Sequence, residues 1–413
     1  MSDRRAAITG LGIVSSLGTN LAKTWEGITS GRSGIGPITA WDATEFSVRF
    51  GGECTDFVTS DWVSRREERR LDRFTQLAIA AADMAIEDSG LDLDKTDRTR
   101  VGCILGSGIG GLGEIETQHG GLVDKGPRGV SPMLVPKMMV NAAPGQVSIR
   151  HGLLGPNLAV VTACASAAHA MGDALNVIRR KEAEVVVAGG SEAAMTPLSF
   201  AGFSNLKALS TRNDDPEIAS RPFDRDRDGF VMGEGAGIII LEEMEYAKAR
   251  GARIYAELAG FGMSADGCHI TMPDPDGIGP ANAMKFALQD AGMNPDEVDY
   301  VNAHGTSTPL NDKGETQAIR KIFGDHADKL AVSSNKSQFG HALGASGGLE
   351  VVVSAYGMLN DIIPPTVNYT TPDPDCDLDY VPNEARDQSF DVALSNSFGF
   401  GGHNGTVIIK KLD

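Results

Sequence analysis

Ten short runs rich in β-branched residues, each closed by glycine or another small residue, recur along the chain as two sets of five. The first set covers residues 6–9, 101–105, 158–162, 185–188 and 238–241, and the second 255–259, 298–302, 330–334, 392–395 and 406–409. Partners share texture: ITGLGIVSS at 8–16 matches LAGFGMSAD at 258–266, and GAGIIILEE at 235–243 matches NGTVIIKKL at 404–412. The spacing between partners is not constant, so the pattern is a diverged duplication and no solenoid. The halves meet near Arg250 and Gly251, which predicts units at 1–250 and 251–413. Helical patterns at 76–89 and 281–291 lie between strands, so each half is expected to be a parallel sheet with helices on its faces. Two such halves stack as layered α/β. Open parallel sheets bind ligands beyond the carboxyl ends of their strands, and the strand exits are therefore the places to search for chemistry.

The balance of 37 basic and 55 acidic residues leaves a net charge of −18, which repels nucleic acid and anionic membranes. No apolar run approaches the roughly 20 residues that a bilayer requires, and Met1-Ser2-Asp3-Arg4-Arg5 is not followed by a signal-type apolar stretch. A cytoplasmic protein is expected. Its five cysteines are odd in number, far apart and without a C-x-x-C, which argues against a disulfide framework and against a zinc site.

Cys164 is the nucleophile candidate. It follows the run at 158–162 and opens the small, helix-compatible string Ala165-Ser-Ala-Ala-His-Ala-Met171. A thiol at a helix N-terminus feels the positive end of the backbone dipole, which lowers its pKa from about 8.5 toward roughly 3.5–7.5. A thiolate at neutral pH is the expectation. Cys54, Cys103, Cys268 and Cys376 have no comparable setting and read as structural. Two histidines lie just past strands of the second half: His304 in VNAHGTST and His341 in SNKSQFGHALGASGG. Both can converge with Cys164 where the halves join. His119, His151, His269 and His326 read as structural; His169 and His403 stay open because of their neighbours.

Three motifs fail on context. Gly106-Ser-Gly108-Ile-Gly110-Gly111 has the dinucleotide-binding spacing, but a loop stands where an acidic strand end should follow. Asp224-x-Asp226-x-Asp228-Gly229 opens like a calcium loop, yet its twelfth position is Gly235 and arginines interleave its carboxylates, so ion-paired structure is expected. Gly344-Ala-Ser346-Gly-Gly348 lacks the strand before a hydrolase serine and reads as a close-packed helix start.

The strings TACASAAHA (162–170), NAHGTSTPLND (302–312), NKSQFGHALGASG (335–347) and NSFGFGGHNG (396–405), in this order, resemble the β-ketoacyl-[acyl carrier protein] synthases of the thiolase superfamily, with LSTRNDDP and RPFDRDRDGFVMGEGAG pointing to the type II condensing enzymes. The resemblance spans essentially the whole chain. It implies a thiolase-like duplicated layered αβαβα fold and a decarboxylative condensation of an acyl-Cys164 enzyme with malonyl-[acyl carrier protein] in fatty acid elongation. By the same resemblance His304 and His341 bind the malonyl thioester and promote its decarboxylation, Lys336 tunes their protonation with Glu315 as its acidic partner, and Thr306 and Thr308 hold the phosphopantetheine arm. The resemblance also implies that Phe400 is a gating aromatic whose backbone N–H joins that of Cys164 in an oxyanion hole.

No cofactor and no metal are implied, since the substrates ride on the phosphopantetheine of acyl carrier protein. Arg65, Arg66, Arg69, Arg70 and Arg73 form the expected basic helix face for that acidic carrier, with Lys125 and Arg128 as a second patch. A homodimer is implied. Gln338-Phe339 and His403 depart from the family pattern and are expected to reshape the malonyl pocket or a nearby cation site. A degradative thiolase would carry a second cysteine in the final glycine-rich loop, and 396–405 has none; a chain-length partner subunit would lack Cys164.

Overall fold

The computed structural model of the protein describes residues 4–412; residues 1–3, where the N-terminal stretch read above begins, and residue 413 lie outside the described residues. All ten anticipated strands are present: β1 (Ala6–Val14), β2 (Val101–Gly106), β3 (Asn157–Val160), β4 (Val185–Glu192), β5 (Gly235–Glu243), β6 (Ala256–Ala265), β7 (Tyr300–Asn302), β8 (Ala331–Ser333), β9 (Val392–Gly399) and β10 (His403–Lys410). Their spatial order is β8-β7-β9-β10-β6-β1-β5-β4-β2-β3. Read outward from the centre, each half therefore places its strands first, fifth, fourth, second, third. The duplication is one of topology as well as of texture. The two half-sheets join into one ten-stranded sheet where Ala6, Ala7 and Ile8 pair with Leu258, Glu257 and Ala256.

The expectation of parallel sheets holds for part of each half. β4, β2 and β3 run parallel, as do β9, β7 and β8. The fifth strands, β5 and β10, run antiparallel to both of their neighbours. The reason lies in the connections. β9 returns directly through Phe400–Gly402 as a hairpin, and a direct return reverses the chain, whereas parallel neighbours need a crossover helix.

Five layers result. α1 (Arg73–Ser89) covers the outer face of the first sheet, and α3 (Ile278–Ala291) and α4 (Pro309–Phe323) cover that of the second. α2 (Ser166–Arg179) and α5 (Ser346–Asn360) lie between the sheets, in a single core that runs from Ile8 and Ile239 of one half to Leu258 and Tyr300 of the other. α1 begins at Asp72, whose carboxylate accepts from the Phe74 N–H, and ends at Gly90 in the left-handed region with φ 62°. Its Ala-rich face explains the paired glycine motif. A Cβ on Gly10 or Gly12 would lie 2.1 or 1.9 Å from the carbonyls of Ala85 and Ala81, and one on Gly260 or Gly262 would lie 2.7 or 2.1 Å from those of Ala287 and Ala283. Both halves thus press a helix backbone onto a strand backbone at the same place.

Candidate active site

The nucleophile candidate Cys164 stands on a tight turn between β3 and α2. Ala163 has φ 50°, a left-handed conformation that costs an alanine about 1–2 kcal/mol. Ser166 holds the turn: its Oγ accepts from the Thr162 N–H at 2.9 Å and donates to the Ala163 carbonyl at 2.6 Å. The Cys164 sulfur meets two backbone N–H groups, its own and that of Phe400 in the β9–β10 hairpin. Gly399 permits this approach, because a Cβ there would lie 2.7 Å from the Thr162 carbonyl and 3.0 Å from the Cys164 nitrogen.

The expected low thiol pKa is not found. Burial pushes the Cys164 thiol up to about 12, although the Lys336 charge and the two N–H groups pull the other way. Loss of solvation outweighs the helix terminus, and the resting sulfur is a thiol.

His304 and His341 arrive from strand exits of the second half. The His304 backbone N–H donates to Glu315 Oε1 at 2.8 Å, and Gly305 donates to Oε2 at 2.8 Å. Asn396 Nδ2 adds a third donor at 3.0 Å. Glu315 is thus a buried acceptor that fixes the turn carrying His304, and burial raises its pKa to about 7. His341 is held through Nδ1, 2.9 Å from Ser346 Oγ at the start of α5, which is the close-packed helix start expected there. Burial and the nearby Lys336 charge hold both imidazoles well below their ordinary range, so both are neutral. His304 Nδ1 has no hydrogen-bond partner.

Lys336 is fully buried behind these rings, but its partner is not the expected Glu315. Its ammonium donates to Glu350, one turn into α5 and equally buried. The sequence carried a signal for this: Glu350 is the one charge in the mostly apolar run Leu349–Met358, and a buried carboxylate demands a cation.

Cys164, His304, His341, Thr306, Thr308, Glu315 and Phe400 all line one cavity of about 440 Å³, with Ile109, Phe203 and Leu343 among its apolar walls. The hydroxyls of Thr306 and Thr308 bond each other at 2.9 Å. Gln338 does not reach the cavity. Its amide donates to the carbonyls of Gly27, Ile28 and Arg32, so it anchors the end of the helix Leu21–Thr29 and the turn after it instead of reshaping the site. His403 is exposed at the pair that closes the hairpin turn.

The rejected motifs are filled by the protein itself. Where a pyrophosphate would sit on Gly106–Gly111, the buried Glu192 carboxylate accepts from Ser107 Oγ and from the N–H groups of Gly108 and Gly344. Asp224 accepts from the Thr370 and Thr371 N–H groups, and Arg227 pairs with Asp312 and Asp373. Among the described residues no group of three or more His, Cys, Asp or Glu side chains could hold a metal ion, and no helix is long and apolar enough to cross a membrane.

The arginine cluster differs from a single helical face. Arg65 and Arg66 lie on a one-turn helix, Arg65–Glu68, capped by Ser64; Arg69 and Arg70 follow in the turn that leads to α1. All four are exposed, as are Lys125 and Arg128. Arg73 points inward instead, donating from Nε and Nη2 to the buried Glu234 at 2.8 and 2.6 Å. Cys268 is exposed, while Cys54, Cys103 and Cys376 are buried.

Residues 3–247 match the Beta-ketoacyl synthase, N-terminal domain, and residues 255–370 the Beta-ketoacyl synthase, C-terminal domain. The chain is 51% identical over 411 residues to the 3-oxoacyl-[acyl-carrier-protein] synthase 2 of Synechocystis sp., covering all of this chain and 99% of that one. It is 50% identical to the protein of the same name from Coxiella burnetii, with both chains fully covered. Among solved structures it is similar to a type II polyketide synthase acyl-carrier protein in complex with its ketosynthase bound to the hexaketide: TM-score 0.91, 34% identity, covering 99% of this chain and 100% of the other.

Proposed function

The chain belongs to the β-ketoacyl synthase family, and from that footing we propose that it condenses an acyl group on Cys164 with malonyl-[acyl carrier protein], releasing carbon dioxide and a 3-oxoacyl-[acyl carrier protein] in fatty acid chain elongation. The observation that carries the assignment of roles is that Cys164 from one half and the neutral pair His304 and His341 from the other border one cavity.

In the first half-reaction the Cys164 sulfur attacks the thioester carbon of the acyl carrier. A proton passes from the thiol to the departing phosphopantetheine sulfur, and the two N–H groups of Cys164 and Phe400 receive the charge on the carbonyl oxygen. A thiol with a raised pKa suits this step, because the sulfur need not hold a charge before substrate covers it. In the second half-reaction the malonyl carboxylate leaves as carbon dioxide and its electron pair becomes an enolate. Neutral imidazoles donate N–H bonds to the enolate oxygen, and Lys336 keeps them neutral by opposing any further positive charge. The enolate carbon bonds to the acyl carbon, the carbon–sulfur bond to Cys164 breaks, and the expelled thiolate takes a proton from solvent.

Thr306 and Thr308 suit the polar phosphopantetheine arm, and Phe400, between Gly399 and Gly401, suits a gate over the nucleophile. Arg65, Arg66, Arg69, Arg70, Lys125 and Arg128 form the proposed docking face for the acidic carrier. The substrates come attached to phosphopantetheine, so the reaction calls for no further cofactor. A homodimer fits the exposed edge of the first half-sheet, where Leu158 of β3 is 48% exposed and Val161, just beyond the strand, 53%. A cytoplasmic location belongs to the same proposal.

Intact-mass measurement tests the reading. Incubation with an acyl-[acyl carrier protein] should add one acyl group, absent from Cys164→Ala protein, and malonyl-[acyl carrier protein] should then remove it with release of carbon dioxide. Absence of the adduct in the native protein would sink the proposal.

A further inference from the structure

We propose that His169 is a positioning residue that ties the two N–H donors of the oxyanion hole together, bridging Thr162 at the root of the Cys164 turn to the hairpin that carries Phe400. This rests on the roles given above to Cys164 and Phe400.

The two donors come from opposite halves of the duplication and belong to segments with little else in common. One is the turn after β3; the other is the β9–β10 hairpin. Stabilisation of a developing oxyanion requires both N–H groups within a few tenths of an ångström of their working positions. Something must set the distance between these two segments.

His169 lies between them. It is buried on the first turns of α2, five residues beyond Cys164, and is not among the residues that border the cavity. Its Nδ1 is 2.6 Å from Thr162 Oγ1. Its other edge turns to the second half: a Cβ on Gly405 would lie 3.4 Å from Nε2, and the ring bonds to the backbone of Asn404. Asn404 is the residue paired with Phe398 across the hairpin, and its side chain also donates to Asp266 Oδ1 at 2.7 Å and to the Gly402 carbonyl at 3.3 Å. The point that His169 grips is therefore the fixed end of the hairpin, two pairs below the turn that bears Phe400. Phe261 of β6 stands edge-on to the imidazole, with centroids 5.7 Å apart, and keeps the ring from tilting.

The bonding pattern selects one form of the ring. With Nε2–H donating to the Asn404 carbonyl, Nδ1 carries the lone pair and accepts the Thr162 hydroxyl proton. A protonated ring would present N–H at both ends and force Thr162 Oγ1 to turn its proton away. Burial lowers the imidazole pKa to about 4, which keeps the ring in the form that bridges. Leu, Phe or Met at 169 would fill the same space without either bond, and that difference can be measured.

Acylation of Cys164 by an acyl-[acyl carrier protein] places both donors on the developing oxyanion, whereas alkylation of the same sulfur by iodoacetamide feels them only through the thiolate fraction, where the Lys336 charge weighs more. In full-length protein carrying His169→Phe, and separately Thr162→Val, the acylation rate should fall about 10–100-fold while the alkylation rate stays within about twofold. The double variant should be no worse than either single one, because both cut the same link. His169→Gln, which retains a donor toward Asn404, should recover part of the loss. Equal loss of acylation and alkylation would mean a general collapse of the turn and overturn the proposal, as would unchanged acylation. Thr162→Val carries the test alone where His169→Phe fails to fold. If native protein takes up no acyl group, the functional reading itself falls; if native protein is acylated and both variants match it, this inference alone falls.

Discussion

The rings of His304 and His341 meet edge to face, with centroids 5.3 Å apart and planes at 83°. Neither is charged, since burial and the same lysine depress both. Two neutral N–H donors from one buried corner suit an oxygen that becomes negative only during the reaction. A pair of imidazolium ions would bind the malonyl carboxylate as well as the enolate and gain little rate from the difference.

Lys336 sets that state. Its charge lowers both imidazole pKa values, so Lys336→Met should let them rise toward the ordinary range. The acidic limb of the pH–rate profile for malonyl decarboxylation should then move to higher pH; an unmoved limb would contradict the role. The same change strands Glu350 and should cost about 3–5 kcal/mol of stability by denaturant titration. That loss should shrink as the pH falls and the stranded carboxyl protonates, and it should largely vanish in the Lys336→Met, Glu350→Gln double variant.

Cys164 should alkylate as a poorly solvated thiol at the cavity wall. With its pKa near 12, the thiolate fraction rises about tenfold per pH unit across neutrality, so the iodoacetamide rate should climb from pH 6 to 9 without levelling. A plateau near pH 7 would show a stable thiolate and disprove the burial argument. Lys336→Met should slow the reaction further, because it removes the charge that favours the anion.

Glu315 accepts three N–H bonds and donates none. Glu315→Gln sets an amide donor against one of those N–H groups, with a stability loss of about 1–3 kcal/mol. Decarboxylation should fall more than Cys164 acylation, since the displaced turn carries His304. The pH dependence separates the carboxyl from its amide. Its folded pKa of about 7 lies above the unfolded value, so its contribution is fully present below the unfolded pKa and is lost as pH rises through 7. Stability of the Gln variant should lack that decline between about pH 4.5 and 7.

Gly399→Ala drives a methyl group against the Thr162 carbonyl and the Cys164 nitrogen. Neither neighbour is a flexible side-chain end, so the hairpin must move away from the turn. Acylation should drop about 10–100-fold with a small change in Tm, read by stopped-flow acyl transfer and by calorimetry. Retained acylation would mean that Phe400 N–H contributes nothing.

Reversal of Arg66 and Arg69 to Glu should raise KM for acyl-[acyl carrier protein] at least about tenfold at low salt and less at high salt, with a much smaller effect on a short soluble thioester. Equal kinetics with both substrates would remove the docking face from consideration.

Periodicity and glycine punctuation made all ten strands legible, because every strand ends where the backbone turns sharply or meets a helix. Strand direction was not legible for β5, since the long segment from Ala193 to Glu234 carries no pattern that states which way the chain re-enters the sheet. Cys164, His304 and His341 could be found from strand exits, but the protonation of the sulfur could not, because desolvation depends on what lies across the cavity and not on the local helix. The Lys336 and Glu350 pair spans two elements, and Glu315 met backbone N–H groups that no side-chain motif encodes. Arg73 sat in a charged string whose other members face solvent, and only the buried Glu234 drew it inward.

The topological duplication divides the labour of the site. Cys164 precedes α2 and His341 precedes α5, and these are the equivalent strand-to-helix joints of the two repeats. On the proposed mechanism one joint carries the electrophile and the equivalent joint of the other repeat generates the carbanion. Neither repeat holds a whole reaction on that mechanism, so the working unit is the seam between them, and a defect at one joint has no spare copy in the other.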